Sequence, residues 1–123
     1  MAIYQEFEDL PLWQEARELV RIIYNCTSRN KFVRDYGLKY QIQRSAVSIM
    51  TNIAEGFERR SNKEFRHSLN YAKASPGEKR TLVRVALDQR YTKEEEFRDI
   101  RGKATFLSKS ISGFDRYLSQ SNR

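Results

Sequence analysis

The 123-residue chain contains one cysteine, one histidine, two prolines and one tryptophan. Each scarcity removes a class of protein. Cys26 alone permits no internal disulfide, and inside an apolar helical stretch it reads as a small core residue rather than a reactive thiol. His67 cannot build a multi-histidine centre by itself. Glu64 and His67 have the Glu-x-x-His spacing of carboxylate-bridged di-iron bundles, but such a site needs a second copy of the motif and the chain has none. No metal and no cofactor is expected. No apolar run approaches the roughly 20 residues of a membrane span. Residues 1–9 are acidic and lack the basic-then-apolar layout of a secretion signal. The expectation is a soluble cytoplasmic protein with no membrane partner. No linker, repeat or low-complexity segment divides the sequence, so residues 1–123 read as one domain.

Charge is abundant and unevenly spread. The net charge is +7. Residues 1–28 carry two basic and five acidic groups, whereas residues 58–90 carry nine and four. The positive field therefore belongs to the middle of the chain. A basic surface attracts nucleic acid or acidic proteins; the plainer reading is a solubilising face.

Periodicity is helical throughout, with no convincing strand. Four helices are predicted, at about 11–28, 35–57, 61–89 with a kink near Pro76, and 92–119. Pro11 suits a first-turn position, with Asp9 close enough to help cap it. Leu12, Ala16, Leu19, Ile23 and Cys26 form the inner stripe of the first helix, widened by Trp13, Val20 and Tyr24. Residues 30–36 read as a connection. The second helix carries two stripes, Ile42, Ala46, Ile49 and Ile53 on one flank and Val47, Met50, Ala54 and Phe57 on the next. A surface helix of a small monomer needs one stripe, so two imply a bundle on one side and another subunit on the other. Gly56 is a plausible helix stop, although Phe57 would extend the helix. Ser61 with Glu64, and Thr92 with Glu95, have the spacing of capping boxes. Phe65, Leu69 and Ala72 follow one face, and Leu82, Val85 and Ala86 resume it after Pro76. Phe97, Ile100, Ala104, Leu107, Ile111, Phe114 and Leu118 then form a strict heptad seam.

The chain resembles the bacterial 23S rRNA intervening-sequence proteins, sometimes labelled S23 ribosomal proteins. The matching residues include Phe7-Glu-Asp-Leu10, Leu12-Trp-Gln-Glu-Ala-Arg-Glu-Leu19, Gln41-Ile-Gln-Arg44, Asn52-Ile-Ala-Glu-Gly56 and Ser61-Asn-Lys-Glu-Phe65, with Asn52–Gly56 the most specific. The resemblance implies an all-α, antiparallel up-down four-helix bundle assembling into a ring-like homo-oligomer, a homopentamer. A related group, the accessory variability proteins of diversity-generating retroelements, forms basic barrels that bind nucleic acid and a reverse transcriptase. Likeness to that group rests on architecture and charge rather than on a motif. The chain departs from the family pattern between Ser75 and Arg90. Lys79, Arg84, Gln89 and Arg90 stand where the family tends to show Leu, Tyr, Leu and Gly. Facing a neighbour, these residues would disturb the usual assembly; facing outward, they would strengthen the basic patch.

The candidate nucleic-acid residues are Arg59, Arg60, Lys63, Arg66, Lys79, Arg80, Arg84 and Arg90. Such side chains neutralise phosphates without reading bases, which gives salt-sensitive, weakly specific binding. Arg44, Asn52 and Glu55, with Ser48, lie within reach of one another on the second helix. With Val47, Met50 and Ala54 they are candidates for an oligomer interface or a register-fixing hydrogen-bond network. A catalytic carboxylate there lacks any partner nucleophile or base. Arg60 and His67 have the Arg-then-His spacing of metal-independent ribonucleases built on another helical bundle, a weak two-residue pattern. Phe7, Trp13, Tyr24, Tyr36, Tyr40, Tyr71, Tyr91 and Tyr117 offer stacking platforms, with core or interface packing the default for most of them. The leading expectation is a non-enzymatic accessory protein that binds nucleic-acid phosphates and a partner enzyme such as a reverse transcriptase. The alternatives are a structural or protein-interaction homo-oligomer, and a ribonuclease using Arg60 and His67.

Overall fold

Apolar periodicity has become five α-helices in a computed structural model that describes residues 4–59, 61–73 and 76–120, with the backbone alone at 30 and 76–79. The helices are α1 (Pro11–Thr27), α2 (Tyr36–Phe57), α3 (Asn62–Lys73), α4 (Pro76–Asp88) and α5 (Glu94–Ser119). Single turns of 3-10 helix, Phe7–Asp9 and Asn30–Arg34, precede α1 and α2. No strand occurs among the described residues. The long third helix expected from the sequence corresponds to α3 and α4, which lie on either side of residues 74 and 75, outside the described residues. A proline lacks the N–H donor that a continuous helix needs and clashes with the preceding turn, and α4 starts at Pro76.

Each helix closes on its neighbours through its expected stripe. Leu12, Ala16, Leu19, Ile23 and Cys26 of α1 are buried, as are Ile42, Ala46, Ile49 and Ile53 of α2. α1 packs on α2 and α5, and α2 packs on α3 and α4. Five of the seven heptad positions in α5 are buried, with Ala104 and Phe114 half-buried. Every such Leu, Ile or Phe contributes about 1.5–3 kcal/mol when fully removed from water. α3 and α5 are also stitched by polar contacts that run antiparallel. Asn62 Nδ2 donates to the Leu118 carbonyl (3.4 Å), Arg66 Nε to Asp115 Oδ1 (3.0 Å) and Lys73 Nζ to Ser112 Oγ (2.6 Å).

The termini of the helices correct several expectations. α1 is entered from Leu10, with Pro11 at its first turn and no side-chain cap, so Asp9 does not cap it. Leu10 is fully buried and tethers the entry instead. α2 is capped by Asp35, whose Oδ1 accepts the Leu38 N–H (3.2 Å), while Oδ2 accepts the Tyr91 hydroxyl (3.0 Å). That hydrogen bond raises the Tyr91 pKa. The tyrosine ring stacks on Phe32, a residue of the presumed connection that is 1% exposed. α3 begins as expected, with Ser61 Oγ accepting the Glu64 N–H (3.2 Å). α5 begins at Glu94 rather than Thr92. Glu96, not Glu95, reaches back to the Lys93 N–H (3.0 Å) and also pairs with Arg29. Gly56 does not stop α2, which continues through Phe57. It lets α3 approach, because an added Cβ would stand 2.5 Å from Phe65 Cδ1.

Arg90 closes α4. Its φ of 62° is left-handed. The Arg90 N–H donates to the Leu87 carbonyl and the Tyr91 N–H to the Ala86 carbonyl, each at 2.9 Å, the bond pattern of a Schellman C-cap. Glycine is the residue that normally occupies this position.

Candidate functional site

α4 lies against α2 and α5 over a cavity of about 940 Å³. Its lining is mixed, with aliphatic Leu19, Ile23, Ile42, Ile49, Leu107 and Ile111 from α1, α2 and α5 beside the hydroxyl side chains Ser45, Thr81, Thr105 and Ser108. Its rim is basic. Arg80 and Arg84 of α4 share it with Lys73 of α3 and Arg101 and Lys109 of α5, with Asp88 the one acidic residue among the described lining residues. Among the described residues, Arg80, Arg84, Arg101 and Lys109 take part in no ion pair. The Arg84 guanidinium lies over the Phe97 ring at 4.7 Å, a cation–π contact that holds it at the rim. Cations gathered around a low-dielectric wall focus field and raise the local concentration of anions.

The other candidate nucleic-acid residues scatter. Arg59 and Lys63 are exposed at the α2–α3 turn, and Arg90 is exposed at the end of α4. Arg66 is engaged by Asp115, so part of its charge is spent within the fold. Arg60 and the Lys79 side chain lie outside the described residues. Of the residues that depart from the family pattern, Arg84, Gln89 and Arg90 face outward, which enlarges the basic surface. Lys73, Arg101 and Lys109 escaped sequence reasoning. Their signal was present, because positions 101, 105 and 109 of α5 recur one turn apart beside the heptad seam.

The presumed second-helix network does not close within the chain. Asn52 Nδ2 donates to the Ser48 carbonyl of its own helix (2.8 Å), and Arg44 and Glu55 are exposed without a partner among the described residues. Val47, Met50, Ala54 and Phe57 are half-buried, and Met50 and Phe57 pack on the chain's own core. Val85, expected inside, is exposed. Tyr24, Tyr36, Tyr40, Tyr71 and Tyr117 are also exposed on the single chain, outside its buried stripes, and Tyr117 stacks on Phe114. Phe7 and Trp13 pack edge to face (5.3 Å). His67 is exposed, and its ring meets that of Tyr71 edge to face with centroids 5.1 Å apart.

Two further chemistries have no support among the described residues. No group of His, Cys, Asp or Glu could hold a metal ion, and no helix is long and apolar enough to cross a membrane. Burial pushes the Cys26 thiol up to about 11, with Glu96 adding to the effect. The thiolate needed for nucleophilic work is therefore suppressed.

No curated protein matches the chain. A crystal structure of a protein of unknown function from the S23 ribosomal protein family of Bacteroides thetaiotaomicron is 23% identical, covers 84% of this chain and 96% of its own, and superposes with a TM-score of 0.73. At that identity the likeness is one of fold. The sequence profile of the 23S rRNA-intervening sequence proteins matches residues 8–113, and the chain belongs to that family.

Proposed function

We infer that the protein is a non-enzymatic, basic helical accessory protein that binds the phosphates of nucleic acid at the α3–α4–α5 rim. The observation that carries this reading is the convergence of Lys73, Arg80, Arg84, Arg101 and Lys109 from three helices around one cavity mouth, with Asp88 the one acidic residue among the described lining residues. The side chains supply charge without a rigid base-reading geometry, which suits backbone binding of modest specificity. α3 and α4 together play the part of one long helix, so the five helices correspond to an up-down four-helix bundle. Tyr36, Tyr40, Val47 and Ala54 recur on one face of α2 at spacings of four and seven, and the two tyrosines are exposed. That face supports self-association into a ring, which would multiply the basic rims. A partner enzyme such as a reverse transcriptase would then receive nucleic acid held on the assembly.

Fluorescence anisotropy of labelled structured RNA and duplex DNA tests the reading. Five rim cations give a log–log salt slope of about −4.5 on duplex and about −3.5 on single strands. Arg80→Glu with Arg84→Glu lowers affinity by at least about tenfold at low salt, and each reversal flattens the slope. Binding that is absent at about 50 mM salt, or unchanged in the double variant, overturns the proposal.

A further inference from the structure

One residue beside the rim serves neither its charge nor the core. Phe106 of α5 is 62% exposed. The other six of the seven phenylalanines are buried or half-buried. Phe106 does not belong to the core, and among the described residues it pairs with no other ring. A phenyl ring left in water forgoes the burial that stabilises the others.

The ring stands on the side of α5 turned away from the buried seam. Gly102, Phe106, Lys109 and Gly113 recur there at spacings of 4, 3 and 4, and all four are exposed. Nothing lies within 4 Å of a Cβ built at either glycine, so the face is open before and after the ring. Lys103 and Lys109 lie three residues to either side of Phe106, about 4.5 Å along the helix axis. Neither takes part in an ion pair among the described residues. Lys109 is also a rim residue, so the bare ring and the basic rim form one surface.

We propose that this surface takes single-stranded nucleic acid, with one unpaired base stacked on Phe106 and the phosphates beside that base on Lys103 and Lys109. The inference rests on the phosphate-binding reading and adds which form of nucleic acid is preferred. An aromatic face accepts any base by stacking, while neighbouring cations hold the backbone. A duplex offers its phosphates to the rim, but its base faces are covered by their neighbours, so the ring adds nothing there. The core of a protein interface is continuous in apolar area and depleted in charge. Phe106 is instead bracketed by two lysines and two glycines. The other exposed rings are placed less well. Lys39 already lies over the Tyr36 ring, His67 meets Tyr71, and Tyr117 stacks on Phe114. Tyr24 and Tyr40 stand on α1 and α2, which supply no rim cation.

The test is anisotropy of the full chain with labelled oligo-dT, oligo-U and an abasic strand of equal phosphate number, each about 16 nucleotides long. The parent binds at least one base-bearing strand about fivefold or more tighter than the abasic one, and the tighter of the two names the backbone. Phe106→Ala cuts that preference to about twofold or less, while abasic and duplex binding stay within about twofold of the parent. Phe106 is exposed, so its truncation spares the core. Phe106→Tyr keeps a ring and keeps the preference. A parent that binds base-bearing and abasic strands alike overturns the proposal, as does a Phe106→Ala variant that retains the preference. So does a Phe106→Ala variant whose mass by light scattering falls together with the preference, because the ring then serves a contact between copies of the chain. Abasic and duplex binding report the rim alone, so the phosphate-binding reading survives each of these results. Absence of all binding removes that reading and this inference with it.

Discussion

Gly56→Ala tests how closely α2 and α3 are packed. In most helix interiors this change stabilises by about 0.5–1 kcal/mol, because glycine loses more backbone freedom on folding than alanine. Position 56 lies in the last turn of α2, so less of that gain is available. The opposing term is steric. The new Cβ would stand 2.5 Å from Phe65 Cδ1, 2.9 Å from Cε1 and 3.0 Å from Ser68 Cβ. The Phe65 ring is itself boxed by Phe57 at 6.4 Å and Phe114 at 5.2 Å. α3 cannot simply retreat, because Asn62 and Arg66 tie it to α5. Overpacking of this kind costs about 1–3 kcal/mol. The net loss is about 1–2 kcal/mol, or roughly 4–8 °C in Tm for a chain of this length. Gly102→Ala is the matched control. It sits in α5 with nothing within 4 Å of an added Cβ, and the same chemical change there should raise Tm by about 2–4 °C. Thermal melts followed by far-ultraviolet circular dichroism read both. Phe65→Leu in the Gly56→Ala background should recover part of the loss, giving a coupling of at least about 0.5 kcal/mol in a double-mutant cycle. A Gly56→Ala variant as stable as the parent, or additive effects in the cycle, would refute the close approach.

Arg90→Gly should stabilise by about 0.5–1 kcal/mol in denaturant melts: a left-handed backbone costs a side-chain-bearing residue about 1–2 kcal/mol, and the extra freedom of glycine in the unfolded chain offsets part of the relief. A loss of stability would mean that Arg90 contributes contacts outweighing its strain. Although burial pulls the Glu96 carboxyl upward, hydrogen bonds from the Lys93 N–H and from Arg29 outweigh it and hold the group below its usual range. A carboxyl depressed in the folded state adds stability above its unfolded pKa and loses it as pH falls through the folded pKa. Glu96→Gln should therefore cost up to about 1 kcal/mol at pH 7 and almost nothing at about pH 3, and a gap independent of pH would contradict the pairing. Burial and its raised pKa should leave Cys26 unreactive toward iodoacetamide at neutral pH until denaturant is added, and rapid labelling of the folded protein would show that α1 opens locally.

The stripes of α1, α2 and α5 were legible in the sequence because a helix converts linear spacing directly into a face. Leu12, Ala16, Leu19, Ile23 and Cys26 could bury only one side of α1, and they do. The residues of the basic rim were half legible. Net charge by segment pointed to residues 58–90, yet it ranked Arg66 beside Arg80 because a sequence does not show which arginine meets an aspartate from a distant helix. Lys73, Arg101 and Lys109 were passed over for the complementary reason. Their charge acts with that of Arg80 and Arg84 only once α3, α4 and α5 share a rim. Phe32 and Leu10 were missed because each lies in a short irregular segment with no period to reveal its side.

Local spacing and composition by themselves determined an all-helical chain, its apolar seams, the interruption at Pro76, the quiet Cys26 and the basic middle. These properties follow from a few neighbouring residues and the geometry of one helix. Tertiary structure alone decided that Gly56 admits Phe65, that Asp35 serves both α2 and Tyr91, and that Glu96 rather than Glu95 opens α5. It also decided that Lys73, Arg80, Arg84, Arg101 and Lys109 share the lining of one cavity. Each of these depends on atoms brought together from distant parts of the chain, and their separation in space is fixed only when the helices pack.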